Sequence, residues 1–192
     1  MGKFSSSRLS TVGAQTARFA TPFPTGAGAD GSAGGITTTI QKINGEIITT
    51  MLVDIHGLLC SGTAKDIIGE DGASAAYITR VLPAKNGVVY KCEMACIEAP
   101  VGSNTSLDID LVSSAHSRAE DQTYDGGGGS DELSLIAAGA SWTKGMRKIS
   151  AVGLNWTNLA QDYIYLANGS GANSGGTYTA GKFIIKFYGA NF

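Results

Sequence analysis

Apolar and polar residues alternate with a period of two over most of the chain beyond its first 35 residues, which is the pattern of half-buried β-strands. In residues 47–55 this alternation places Ile47, Met51, Val53 and Ile55 on one face. Further strands are predicted at 36–42, 76–82, 88–98, 106–112, 133–137, 162–167 and 178–188. Strands at this spacing, joined by turn residues, predict an all-β protein.

Turn signals separate several of these strands. Asn44-Gly45 and Asn86-Gly87 are the dipeptide that favours a two-residue hairpin. Residues 63–68 predict one short helical turn. Residues 142–154 fit either a short helix or a strand. We expect a jelly roll or another Greek-key β-sandwich.

The first 35 residues differ from the rest because they follow neither the helical nor the strand period. We therefore expect an extended Gly-, Ser- and Ala-rich N-terminal arm over 1–35 and a β-sandwich body over 36–192. Such an arm becomes ordered on a partner's surface by burying apolar side chains and by adding strands to sheet edges. The candidate assembly residues in this arm are two cations and two aromatic anchors, Arg8, Arg18, Phe19 and Phe23.

Composition and charge narrow the classes of function. The chain contains 27 Gly, only 16% charged residues and a formal net charge of −2. This balance excludes a strongly basic nucleic-acid binder, so we expect no direct sequence-specific nucleic-acid binding. No apolar run reaches the roughly 18 residues of a membrane-spanning helix, so no membrane partner is expected.

Two glycine-rich stretches match nucleotide-binding motifs in residue spacing but lack the structural context that those motifs require. Residues 26–31 fit the dinucleotide fingerprint, but they lack the preceding strand and the following helix that hold the pyrophosphate. Residues 176–182 approach a phosphate-binding loop, but Phe183 stands where a hydroxyl must bind Mg²⁺. The sequence also lacks a nucleophile elbow. We therefore predict no enzyme activity, no catalytic residue and no cofactor.

The metal-ligating residue types are scattered. Cys92 and Cys96 lie on one predicted strand with Cα atoms about 13 Å apart, whereas a disulfide needs about 7 Å or less. With Cys60, they are expected to be buried thiols. Asp108 and Asp110 share a strand face, where they could bind Ca²⁺ or simply face solvent. The second interpretation is favoured, and no metal site is expected.

Aromatic residues of the last third form a candidate contact face. They are Trp142, Trp156, Tyr163 and Tyr165, of which the two tyrosines share a strand face. An exposed platform of this kind would stack on sugar rings. The favoured interpretation is that these residues fill the core or a subunit contact, since aromatic side chains dominate both.

Four segments carry a resemblance to a known class of proteins. Residues 43–50, 87–94, 108–111 and 180–189 resemble small virion proteins of marine tailed bacteriophages, and the resemblance covers 36–190. It implies a capsid decoration or cement protein with a β-sandwich body, located on the virion surface and assembled in the host cytoplasm. It also implies homo-oligomers, most often trimers, bound to the major capsid protein, and it supplies no catalytic residues.

The sequence therefore predicts a structural protein that stabilises a viral head through homo-oligomerisation and contact with the coat protein. Two alternatives stay open. One is a minor coat, head-fibre or tail component. The other is a glycan-binding β-sandwich module, which would use the aromatic contact face.

Overall fold

The computed structural model describes residues 26–28, 35–124, 131–150, 160–170 and 174–190, together with the backbone of residues 15–17. The strands in these ranges are β1 (Gln15–Ala17), β2 (Gly35–Ile43), β3 (Glu46–Asp54), β4 (Leu59–Cys60), β5 (Thr79–Arg80), β6 (Val88–Gly102), β7 (Ile109–Ser114), β8 (Glu132–Ile136), β9 (Arg147–Ile149), β10 (Tyr163–Asn168) and β11 (Gly176–Ala190). One short helix, α1 (Pro83–Asn86), precedes β6. Arm residues that were singled out in the sequence, Arg8, Arg18, Phe19 and Phe23, lie outside the described residues.

The described strands form two antiparallel sheets. The large sheet has the order β1-β2-β3-β11-β6-β9, with β4 paired to one end of β11. The small sheet has the order β5-β10-β7-β8. This arrangement confirms the predicted all-β sandwich. The choice between a jelly roll and another Greek-key sandwich stays a prediction.

The hairpin between β2 and β3 forms as the sequence predicts. Ile43 and Glu46 pair across a two-residue turn. The turn residues Asn44 and Gly45 have φ angles of 50° and 83°. Both central residues of this hairpin turn require positive φ, which Asn and Gly adopt most readily, so the Asn-Gly dipeptide sets the register of the whole pair.

The second Asn-Gly dipeptide does not make a hairpin, and that prediction is wrong. Pro83 starts α1, because its fixed φ suits the first turn of a helix. The Asn86 side chain accepts a hydrogen bond from the Leu82 N–H at 2.7 Å and donates one to Thr49 Oγ1 at 2.9 Å. These contacts hold Asn86 in the helix, and Gly87, with φ of 67°, ends it.

Two further local predictions also fail. Residues 63–68 do not form a helical turn, because Asp66 and Ile67 make β-bridges to Thr123 and Ala167. The strand predicted at 76–82 is reduced to β5, which pairs with the start of β10. In both places the backbone follows hydrogen-bond partners that lie far away in sequence.

Strand β11 is the centre of the large sheet. It pairs with β3 along one side and with β6 along the other. Its side chains alternate, so that Phe183, Ile185 and Phe187 are buried on the inner side while Ile184 and Lys186 face outward. The inner side of β3 matches this pattern, and Ile47, Met51, Val53 and Ile55 are all buried as predicted.

The main core lies between the two sheets. From the large sheet it includes Met51, Met94 and Phe183, and from the small sheet Leu111 and Leu166. The three cysteines are also buried there as free thiols, which confirms that prediction. A smaller apolar cluster covers the opposite face of the small sheet around Tyr165, Tyr124 and Val112.

The close approach of β11 to α1 provides a test of this packing. A Cβ atom on Gly189 would lie 1.8 Å from the Asn86 carbonyl oxygen, so the helix or the strand would have to move. We expect Gly189→Ala to lower the free energy of unfolding by about 3 kcal/mol, as overpacking does. Urea denaturation monitored by circular dichroism measures this change.

Gly35→Ala is the matched control, because a Cβ at Gly35 would meet nothing within 4 Å. This substitution should raise the free energy of unfolding by about 0.5 kcal/mol by restricting the unfolded chain. Equal effects of the two substitutions would contradict the close approach at Gly189.

Candidate functional site

The residue types that could carry chemistry are used to hold the fold together. Cys92 is buried, and burial raises its pKa to about 12, so its thiol stays protonated. Asp110 is half-buried and accepts a hydrogen bond from the Ala138 N–H at 2.7 Å, while Asp108 lies against Gly169. The two carboxylates therefore do not form a solvated pair. Within the described ranges, no group of three His, Cys, Asp or Glu side chains could hold a metal ion.

No helix in the described part of the chain has the length and apolar character needed to cross a membrane.

Trp142 and Tyr165 lie in the core, as the favoured interpretation predicts, and the contact-face alternative is wrong for these two residues. Trp142 is buried, packs edge-on against Phe183 and donates its Nε1–H to the Ile109 carbonyl at 2.7 Å. Tyr165 is also fully buried. Its hydroxyl donates to the His116 carbonyl at 2.8 Å and accepts from the Arg118 N–H at 2.9 Å. Both side chains stabilise the fold.

The other two aromatic candidates have different outcomes. Tyr163 lies on the same face of β10 as Tyr165 and is half-buried. The ring centroid of Tyr77 lies 4.9 Å from that of Tyr163, and the Arg80 guanidinium lies 4.8 Å from the same centroid. Trp156 lies outside the described residues.

The surface with the most unusual composition is the outer face of the large sheet, defined as the side of β2, β3, β11, β6 and β9 that points away from the core. Its central strands place Ile184 opposite Leu52 and Tyr188 opposite Ile48. Leu52 is 38% exposed and Ile149, at the β9 end, is 50% exposed. A sheet face that meets only water normally carries polar residues at these positions, so this face has the character of a contact surface.

Two charge clusters flank these apolar residues. At the β6–β9 side, Glu93 accepts from Arg147 at 2.6 Å and from Lys91 at 2.8 Å. The Lys91 ammonium also lies 3.9 Å from the centroid of the Tyr188 ring. This group, called here the basic cluster, contains two cations and one anion.

The second group, called here the acidic cluster, lies on another part of the same face. Lys182 contacts Glu98 at 2.9 Å and Asp54 at 3.4 Å, so one cation meets two anions. All three lie opposite one another on neighbouring strands, because Lys182 pairs with Asp54 on one side and with Glu98 on the other. Two separate parts of the outer face thus carry net charges of opposite sign.

A further part of the outer face is apolar and exposed. Val88 and Tyr90 on β6 are 51% and 46% exposed, and Ile43 on the neighbouring hairpin is 40% exposed. The Tyr90 hydroxyl donates a hydrogen bond to the Glu46 carboxylate. That hydrogen bond is the main reason why the pKa of Tyr90 rises to about 12. The Tyr90 hydroxyl therefore stays protonated, and its hydrogen bond to Glu46 fixes the position of the ring.

The edge strand of the large sheet carries a segment of the predicted arm. Strand β1 pairs antiparallel with β2, so that Gln15, Thr16 and Ala17 lie opposite Lys42, Gln41 and Ile40. Strand β2 continues for five more residues, 35–39, along which no strand pairs on this side within the described residues. An arm segment thus pairs with part of this sheet edge, and among the described residues no strand pairs with the rest.

A second contact of the arm was missed by the sequence analysis. Residues 26–28, called here the docking segment, lie against the loop 69–77 of the body. The N–H groups of Gly26 and Ala27 donate to the carbonyls of Tyr77 and Ala75 at 3.0 and 2.8 Å. A Cβ atom on Gly28 would lie 2.0 Å from the Ala76 carbonyl oxygen, so only glycine allows this approach.

The sequence contains signals both for the docking segment and for the outer face of the large sheet. Glycines at 26 and 28 belong to the rejected dinucleotide fingerprint, and their spacing instead serves close backbone packing. Ile48, Leu52 and Ile184 stand at outward positions of the alternating pattern, where polar residues are usual. Apolar residues on both faces of consecutive strands were therefore the available signal.

Comparison of the chain with protein-family models, with curated proteins and with solved structures finds no match.

The basic cluster predicts a specific pH dependence of stability. Burial alone would raise the pKa of Glu93, but hydrogen bonds from Arg147 and Lys91 outweigh it and lower the pKa to about 2 from 4.5. Ionised Glu93 therefore stabilises the fold above about pH 4.5, and this stabilisation is lost as the pH falls towards 2. Glu93→Gln should lower stability at pH 7 and flatten the stability profile between these pH values, as measured by urea denaturation.

Glu98→Gln is the control, because Glu98 belongs to an exposed ion pair on the same face. We expect a much smaller change in stability and a profile close to that of the unmodified protein. An unchanged profile for Glu93→Gln would show that the basic cluster does not stabilise the fold.

Proposed function

We propose that the protein is a virion structural protein, a capsid decoration or cement protein that stabilises a viral head through homo-oligomerisation and binding to the major capsid protein. The observation that carries this proposal is the pairing of β1, a segment of the arm, with the edge strand β2 of the body. Arm-to-edge pairing is a general way in which β-proteins join to their neighbours, because backbone hydrogen bonds supply the affinity.

The outer face supports association with further copies of the chain. Exposed apolar residues flanked by charged residues are typical of protein interfaces. In addition, the basic cluster around Glu93 and the acidic cluster around Lys182 lie on one face and carry opposite net charge. A second copy in a rotated orientation would bring unlike clusters together, which favours the correct register.

Polar groups elsewhere support a structural role because internal contacts occupy them. Asp66 is buried and accepts hydrogen bonds from the hydroxyls of Ser61 and Thr123. Cys60 donates to Asn168 Oδ1 at 2.9 Å inside the core. Side chains of the types used in catalysis thus serve to connect strands and loops. The proposal therefore includes no enzyme activity.

The alternatives are separable by experiment. A minor coat, head-fibre or tail component would be present in few copies per particle, whereas a decoration protein is present in many. A glycan-binding module would need exposed rings. Trp142 and Tyr165 are buried and Tyr163 is half-buried, whereas Tyr90 on the outer face is 46% exposed. The trimer stays the expected oligomer.

The first test is the mass of the protein in solution by light scattering, for the full chain and for a deletion of residues 1–25. The deletion removes β1 and retains the docking segment. We expect a discrete oligomer, with a trimer as the specific prediction, and a folded body with weaker association after the deletion. Melting temperature controls for folding, and a monomer in both forms would contradict the proposal.

The outer face gives a second test. Leu52→Lys places a charge among Ile184 and its neighbours, and burying an unpaired charge at an interface is costly. We expect association at least about tenfold weaker, which corresponds to about 1.4 kcal/mol. Sedimentation velocity over a concentration series measures this change.

Leu107→Lys is the matched control, because Leu107 is also 38% exposed but precedes β7 and belongs to none of the strands that form the outer face. It should leave association unchanged. The same loss for both variants would show that the outer face of the large sheet is not the contact surface.

A further inference from the structure

Among the described residues, the outer edge of β2 is paired along only part of its length. Strand β1 covers Ile40, Gln41 and Lys42, while the pairing residues of β3 extend over all nine residues of β2 on its other side. Within the described residues, the outer edge of 35–39 therefore has no strand partner. The edge can accept a strand, and a strand of this chain already fits part of it.

The side chains of residues 35–39 are not of the types that usually protect an edge strand against pairing with another chain. Edge strands are commonly protected by lysine, proline or a bulge. Residues 35–39 read Gly-Ile-Thr-Thr-Thr, and Thr37 and Thr39 are exposed. Threonine and isoleucine favour strands. This sequence is therefore suited to pairing with a further strand.

The docking segment fixes the point from which the arm leaves the body. Besides its two donated hydrogen bonds, the Ala27 carbonyl accepts from the Glu70 N–H at 2.9 Å. Extended chain between residues 17 and 26 spans at most roughly 30 Å. A compact domain of 192 residues has a radius of gyration of about 16 Å. The maximum reach of this stretch therefore exceeds the radius of gyration of one copy.

The pairing of β1 with β2 of its own chain and its pairing with β2 of a neighbouring copy use the same backbone hydrogen bonds. Exchange of identical elements between copies therefore costs little, and concentration decides which form is populated. A tethered strand competes at an effective concentration in the millimolar range for a short linker. Copies packed side by side in a shell reach local concentrations of the same order.

We propose that β1 is exchanged between copies of this chain, so that residues 15–17 of one copy pair with Ile40–Lys42 of its neighbour. This inference rests on the proposed assembly function and names the segment and the edge through which copies are joined. The exchanged strand enters in the antiparallel register already seen, with Thr16 opposite Gln41. Exchange connects each copy to the next without any new contact surface.

Formation of a disulfide between β1 of one copy and β2 of another tests the exchange directly. Thr16→Cys and Gln41→Cys stand opposite each other, and opposed residues of antiparallel strands lie about 4.5–5.5 Å apart, within the range of a disulfide. The two single variants are mixed at about 1 mM, in the range where exchange competes with the tether. One of them carries a size tag. After mild oxidation, non-reducing electrophoresis should show a mixed dimer whose yield falls on dilution.

The control replaces Gln41→Cys with Thr37→Cys. Thr37 is exposed on the same strand, but it lies four residues, or about 13 Å, from Gln41. The native thiols are buried and should contribute little background. The double variant Thr16→Cys with Gln41→Cys, oxidised at low concentration, should close within one chain and confirm the register.

Each outcome decides the inference. If the double variant forms its intrachain disulfide but the mixture gives no mixed dimer at about 1 mM, β1 stays paired within its own chain and the proposed exchange is wrong. Failure of the double variant to close overturns the register on which the exchange depends. Equal yields from the Gln41→Cys and Thr37→Cys mixtures indicate random collision. Light scattering that shows a discrete oligomer, combined with no mixed dimer, would support the assembly function. It would also show that the copies associate without exchanging β1.

Discussion

The pairing of β11 with β3 and β6 is the interaction on which the rest of the structure depends. Both neighbours reach the same central strand, so the inner side of the large sheet is continuous from Met51 through Phe183 to Met94. The small sheet packs against that surface through Leu111 and Leu166. Because side chains of a strand alternate strictly, the same pairing that fills the core also decides what the outer face presents.

The outer face follows from this constraint. With Phe183 and Ile185 turned inward, Ile184 must point outward, where it meets Leu52 on the next strand. Lys182 and Lys186 alternate with it and bring their charges to the same side. A face that combines apolar residues with two charge clusters of opposite sign is thus a direct product of strand register. The arm adds to it at the β2 edge, where backbone groups provide a second kind of contact.

Much of the fold could be predicted from sequence wherever local chemistry decides. The β2–β3 hairpin is an example, because Asn44 and Gly45 themselves supply the positive φ angles. Asn86-Gly87 is the same dipeptide but does not form a hairpin, because Pro83 starts a helix there and Asn86 is held by its contact with Thr49. The surface was harder to predict. Ion pairs such as that between Lys182 and Glu98, and the burial of Trp142 under Phe183, join positions that no spacing rule connects.

The position of β11 along the chain has a consequence for how the protein is made. A ribosome releases β3 and β6 well before the strand that must lie between them, so the large sheet stays incomplete until residues 176–190 have emerged. Contacts between residues so distant in sequence form slowly. During that interval the edges of β3 and β6 that later receive β11 lack this partner, and unpaired strand edges can pair with other chains.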